Sequence, residues 1–330
     1  MGLQAKLAIV FSLSALLSVT GCHSWRLSRV PDADIVFQAM YSGEEQASLG
    51  FVDGDGSNLT YVEMRLPGAA MPAFPTWTPA GDYLLFRGLQ EIDYGGDLFA
   101  ITPGRRLMGY ETDVAFGDDG AAVTADGRYA VVHVVGDSEG EEYLHLLILE
   151  TGEIKETLVT ETTLRAGVEC GTNALHGSKL VYAYQELVNG QERGELILRD
   201  LEAGTATVLV TGTILVKPAI SPDGRWIAYT AEDGVFIVSV NGGESRRVVD
   251  TAVERLTSLG LIEDYSPPVA SWSPDSQWIV YHRCTLPGEQ WCNQLSHYSV
   301  FKVNIETGEE VFLVEGALNP YWRLRQEEVE

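Results

Sequence analysis

Basic residues are scarce in this chain: 22 Lys and Arg stand against 47 Asp and Glu in 330 residues, a formal net charge of −25. A surface so acidic repels a phosphate backbone, and counterion release needs clustered cations, so nucleic acid is excluded as a partner. Helical periodicity is missing too: outside an apolar N-terminal run and residues 253–262, no window repeats its apolar residues at helical spacing. No apolar run is long enough to span a bilayer as a helix. The chain holds 4 cysteines, and neither a CxxC nor an HxxxH spacing occurs, so no metal-binding motif is visible. What is plentiful is turn chemistry, with 34 glycines and 13 prolines beside 45% apolar residues. That balance describes a folded chain with a core and many tight turns.

The first apolar run, Leu7 to Val19, follows a single cation, Lys6, and has the length of a secretory h-region. It ends in Val19-Thr20-Gly21-Cys22, which resembles the bacterial lipobox. The resemblance implies cleavage before Cys22, diacylglycerol on Cys22, and attachment to a bilayer in the bacterial cell envelope, facing the periplasm or the exterior. A plain signal peptide with an incidental cysteine is the alternative. Cys284 and Cys292 enclose a turn-like stretch between two strand-like runs, as expected of a disulfide that clips a hairpin. Cys170 is then left as a small buried side chain.

A turn motif recurs along the rest of the chain with an aromatic residue at fixed offset. Its clearest copies are Ser221-Pro222-Asp223-Gly224-Arg225-Trp226 and Ser273-Pro274-Asp275-Ser276-Gln277-Trp278. Thr78 to Tyr83 and Thr124 to Tyr129 are weaker copies, and Gly177 to Tyr182 is degenerate. The spacing, roughly 46 to 52 residues, is near the length of a four-stranded propeller blade. Pro presets φ, Asp accepts from the turn backbone, and Gly supplies φ > 0 before an extended run, so the motif joins strands A and B of a hairpin. A second alternating pair follows each copy, as in Tyr143 to Leu149 or Val235 to Val240, and completes an antiparallel sheet.

The ends of the chain complement each other. Ile35 to Met40, Ala47 to Val52 and Leu59 to Met64 supply three strands without an A strand, whereas Asn319 to Leu324 reads as an A strand with nothing after it. The expected architecture is an all-β, six-bladed β-propeller of four-stranded antiparallel blades, closed by strand sharing between the N- and C-terminal segments. The repeats resemble the PD40 (WD40-like) repeats of the TolB-type six-bladed propeller, over about residues 31–325. TolB carries an N-terminal α/β domain before its propeller, whereas here the anchor-like segment leads to the first blade within about ten residues. The resulting layout is a lipoprotein signal peptide at 1–21, a lipidated linker at 22–30 and a propeller at 31–326.

Three motifs suggest chemistry. Gly136-Asp137-Ser138-Glu139-Gly140 matches the nucleophile-elbow pattern, but it falls between two strands rather than before a helix. Asp53 to Asn58 alternates oxygens like a calcium loop, yet Met64 stands where an EF-hand needs Glu, and a hairpin turn is the plainer reading. His133 and His282 occupy the same offset after Gly127 and Ser276. They are candidate ligands for a divalent cation in a propeller hydrolase or lyase, although repeat equivalence alone also places them there. No other cofactor is expected.

Charge placement gives the functional expectation. The blade phase puts the B–C and D–A loops on one face, and Glu91, Asp93, Asp137, Glu139 and Glu141 gather there. Glu142, Glu232 and Asp233 join them, with Tyr94, Tyr265 and Trp291 as aromatic contact candidates in the loops. Such a face would attract cations or a basic peptide; a solvated acidic surface is the bland alternative. The expected function is a non-catalytic binding or scaffold module with an envelope protein or peptide, of basic character, as partner.

Overall fold

The computed structural model describes residues 30–40, 47–63, 66, 71–78, 83–90, 93–101, 107–110, 115–116, 121–124, 126–135, 142–161, 166–169, 173–188, 191–213, 215–231, 233–250, 268–286 and 295–324. The helix expected at 253–262 lies outside them.

The repeated turn is built by its own side chains. Ser221 Oγ donates to Asp223 Oδ1 at 2.6 Å and accepts from the Trp226 N–H at 2.9 Å. The same carboxylate oxygen accepts from the Arg225 N–H at 3.0 Å, and Gly224 takes φ 69°. Ser273, Asp275, Gln277 and Trp278 repeat the pattern, with Ser276 at φ 59° in the glycine's place. Thr124 and Asp126 do the same before Tyr129, beside Gly127 at φ 65°. Each turn thereby satisfies the backbone donors that a tight A–B hairpin leaves open.

Six blades follow. The first takes Ala317–Trp322, Ile35–Met40, Ala47–Val52 and Thr60–Glu63 from the centre outward, and the second takes Met71–Trp77, Leu84–Gln90, Asp93–Ile101 and Leu107–Tyr110. The innermost strand of the third blade is split into Ala115–Phe116 and Ala122–Val123, ahead of Tyr129–Val135, Glu142–Ile148 and Ile154–Glu161. The fourth blade is split likewise, into Ala166–Glu169 and Leu175–His176, before Lys179–Val188, Gln191–Asp200 and Thr205–Gly212. Leu215–Ile220, Trp226–Ala231, Gly234–Ser239 and Arg246–Asp250 make the fifth; Ser271–Trp272, Trp278–Cys284, Tyr298–Asn304 and Glu310–Glu315 make the sixth. All pairings are antiparallel, and a bridge between Gly96 and Phe116 joins the second and third blades into one nine-stranded sheet.

The ring closes as the terminal strands require. Ile35 pairs with Trp322, Val36 with Tyr321 and Ala39 with Ala317. The closing strand ends at Trp322 rather than Leu324; just beyond it the Arg323 N–H donates to the Asp34 carbonyl at 2.8 Å and the Arg323 guanidinium reaches Asp32 at 2.7 Å. Closure leaves no free inner edge at the join.

The core lies between blades rather than within them. Ile35, Phe37 and Val52 pack with Val280, Val300 and Trp322 across the first and sixth blades, and Leu85 and Leu98 pack with Val132 and Leu147 across the second and third. Polar ties cross the same interfaces: Trp272 Nε1 donates to the Ala219 carbonyl at 3.0 Å, Tyr110 Oη to the Leu149 carbonyl at 2.7 Å, and Lys302 Nζ to the Gly54 carbonyl at 2.7 Å. Such bonds between blades, the first two fully buried, fix the angle between neighbouring sheets as well as stabilising them.

Candidate functional site

Three innermost strands share an unusual step. Phe74, Lys217 and Asn319 take φ 49°, 51° and 50°, and each precedes a proline, Pro75, Pro218 or Pro320. Strand pairing shifts register at these points. A bulge of this kind re-aims a side chain, and left-handed residues other than Gly, Asn or Asp persist only where their surroundings hold them. Here the effect is direct: Lys217, 8% exposed, places Nζ 5.6 Å from the centroid of the Phe74 ring. Their blades, the fifth and second, are opposite each other in the ring, so this cation–π contact spans the axis.

Further along the inner strands the axis is bridged by hydrogen bonds. Asn173 of the fourth blade donates through Nδ2 to Tyr321 Oη of the first at 3.3 Å and accepts at Oδ1 from Ser271 Oγ of the sixth at 3.1 Å. Ser271 Oγ accepts in turn from the Trp322 N–H at 3.0 Å, and the Asn173 carbonyl accepts from the Ile220 N–H at 2.8 Å. Four blades therefore meet on one asparagine. Burial pushes the Tyr321 phenol well above its ordinary range, and the Asn173 bond offsets only part of this, so Tyr321 stays neutral at any ordinary pH.

The two histidines stand in different surroundings despite their shared offset. His133 Nε2 lies 3.1 Å from Glu142 Oε2 within the third blade. His282 is fully buried; its Nδ1 accepts from the Asn319 N–H at 3.2 Å, and Asn319 Nδ2 donates to Gln38 Oε1 at 2.9 Å. His282 thus ties the sixth blade to the closing strand, which is a structural use of the repeat position. Among the described residues, no group of three or more His, Cys, Asp or Glu side chains is placed to hold a metal ion.

Of the acidic face, Glu142 is partnered locally by His133, and Asp233 by Arg247 at 2.9 Å. Glu91, Asp137, Glu139, Glu141, Glu232, Tyr265 and Trp291 lie outside the described residues, as do Cys22 and Cys170. Asp93 and Tyr94 are not in a loop as expected. The third strand of their blade begins at Asp93, opposite Gln90, because the hairpin is tight enough for pairing to start before Gly95 and Gly96. Cys284 is disulfide-bonded, and its expected partner Cys292 lies outside the described residues. Residues 136–140, with the nucleophile-elbow pattern, also lie outside them; the strands Tyr129–Val135 and Glu142–Ile148 pair with each other. Asp53 and Asn58 close a tight turn, with Asn58 Nδ2 on Asp53 Oδ2 at 2.6 Å and the Gly56 N–H on the Asp53 carbonyl at 2.8 Å.

Sequence reading overlooked the axial residues. The left-handed positions carried a signal, since Phe74-Pro75, Lys217-Pro218 and Asn319-Pro320 each stand at one offset before Trp77, Ile220 and Trp322. Nothing marked Asn173 or Ser271, whose meeting depends on the radial arrangement of blades.

The arrangement defines a closed six-bladed β-propeller whose axis is braced by side chains. Comparison with solved structures gives the particular type. A TolB structure from Acinetobacter baumannii superposes with a TM-score of 0.62 at 14% identity, covering 88% of this chain and 66% of that one. A TolB candidate from Agrobacterium tumefaciens gives 0.58 at 17% identity, covering 84% and 93%. The chain therefore has the fold of the TolB propeller, and it spans 66% of the length of the Acinetobacter protein. A family model for the dipeptidyl peptidase IV N-terminal region matches residues 175–285. No curated protein matches the sequence.

Proposed function

We propose that the protein is a lipid-anchored, extracytoplasmic binding or scaffold module that acts without catalysis through the loop face formed by its B–C and D–A connections. The observation that carries this reading is the braced axis. Asn173, Ser271 and Tyr321 join blades across the centre, so the ring is a stiff support on which loops are displayed. The envelope location and the anchor rest on the Val19-Thr20-Gly21-Cys22 sequence. The partner class, a basic envelope protein or peptide, rests on the excess of acidic residues assigned to those loops and on the net charge of −25.

Crosslinking in the native envelope, followed by mass spectrometry, tests the binding role. A recurrent partner whose capture weakens as salt rises from ~0.05 to ~0.5 M is the expected result, because exposed charge pairs are screened over that range. Capture indifferent to salt would exclude an electrostatic face. Cys22→Ser should move the protein from the membrane fraction to the soluble fraction, and an unchanged distribution would exclude the anchor.

A further inference from the structure

We propose that the outer edge of the fourth blade is a self-association surface, at which the strand Thr205–Gly212 pairs antiparallel with the same strand of a second copy of this chain. That strand reads TATVLVTG: it has no charge and no proline, and it is rich in β-branched residues. It pairs with Gln191–Asp200 on one side, and among the described residues no strand covers the other. Thr205 through Val208 are exposed, Val208 by 46%.

A sheet edge of this kind invites another strand unless charge, brevity or a bulge blunts it. The other blades use these devices. Thr60–Glu63, Ile154–Glu161, Arg246–Asp250 and Glu310–Glu315 all carry charged side chains, and Leu107–Tyr110 is only 4 residues long. The fourth blade has a bulge at Leu209, where pairing jumps from Leu196–Val210 to Ile197–Val208, but the ladder from Thr205 to Val208 is unbroken.

The charge pattern selects a second copy as the occupant. Two molecules of net charge −25 repel almost anywhere they approach. Along this edge, a two-fold axis normal to the sheet sets Thr, Ala and Val against Thr, Ala and Val, with no carboxylate opposed to another. At the four charged edges, self-pairing brings ionised side chains into the new ladder, where like charges directly opposite destabilise. An isologous contact also closes on itself, which limits assembly to a dimer.

Sedimentation velocity of the full chain in a non-ionic detergent, from ~1 to ~200 µM, tests this through the concentration dependence of mass. The wild type should shift from protomer towards twice that mass. Val208→Lys should keep protomer mass throughout, its apparent Kd raised at least about tenfold by placing cations across the new ladder. Phe312→Lys, on the exposed edge of the sixth blade, should behave as wild type. Thr207→Lys replaces Val208→Lys if the latter alters the melting curve. A wild type that stays at protomer mass, a Lys variant that associates like wild type, or a Phe312→Lys variant that loses association would each overturn the proposal.

Discussion

The seam between the two ends of the chain can be measured as a coupling energy. Trp322 is 8% exposed and packs with Val280, Val300 and Leu313, while Ile35, its cross-strand neighbour, is fully buried. Trp322→Ala removes a buried aromatic and should cost about 3–5 kcal/mol, a large part of the ~5–15 kcal/mol that holds a typical domain folded. Ile35→Val removes one methylene and should cost about 0.5–1.5 kcal/mol. Because the two side chains touch across the join, their costs should fail to add by at least ~0.5 kcal/mol in the double variant. Urea unfolding followed by far-UV circular dichroism supplies the free energies, with unchanged slope as the sign that closure persists in each variant. The reasoning is refuted if Trp322→Ala costs less than ~1 kcal/mol, or if the pair adds within ~0.3 kcal/mol, the behaviour of distant sites.

Other consequences are more local. Gly234→Ala would place a Cβ 2.0 Å from the Val249 carbonyl oxygen, which is backbone and cannot swing away, whereas a Cβ at Gly177, φ 58°, meets nothing within 4 Å. Thermal melts should show a loss several-fold larger at Gly234→Ala than the ~1 kcal/mol of left-handed strain expected at Gly177→Ala, and equal losses would contradict the close approach. His282→Ala strands the Asn319 N–H in a buried site and should cost about 1–3 kcal/mol by urea titration; a neutral substitution would mean the bond contributes nothing. Burial lowers the His145 imidazole, so the unfolded chain takes up its proton first. Stability from this group is complete above ~6.5 and declines as pH falls below it, and His145→Gln should flatten that slope; an unchanged slope assigns the acid sensitivity elsewhere. The raised phenol of Tyr321 acts at the other extreme: stability should hold up to the ordinary tyrosine range near 10 and fall above it as the unfolded state ionises, less steeply in Tyr321→Phe.

Where local chemistry decides the structure, residues alone reveal it. The turn at Ser221 to Trp226 is closed by its own hydroxyl and carboxylate, so its copies mark each A–B hairpin and count the blades. The missing inner strand at one end and the surplus strand at the other likewise foretell the Ile35–Trp322 pairing, because an apolar strand must find a partner. The axis was harder to read. Asn173, Ser271 and Tyr321 belong to three different blades, and a polar residue on a short inner strand looks the same whether it faces a neighbour or a funnel. His133 and His282 show the converse problem: equal offsets suggested a shared task, but one sits beside a carboxylate within its blade and the other holds the closing strand.

The pairing of Ala317–Trp322 with Ile35–Met40 also sets a timetable for biogenesis. Synthesis runs from the amino end, so the opening strand emerges early and must wait, its inner side bare, until Ala317–Trp322 has followed it. The five blades between are each built from contiguous chain, so they can pair strand by strand without it; the circle itself can form only when that last strand arrives. A stop codon placed just ahead of Ala317 would leave the strands of every other blade in the chain yet produce a molecule that never becomes round.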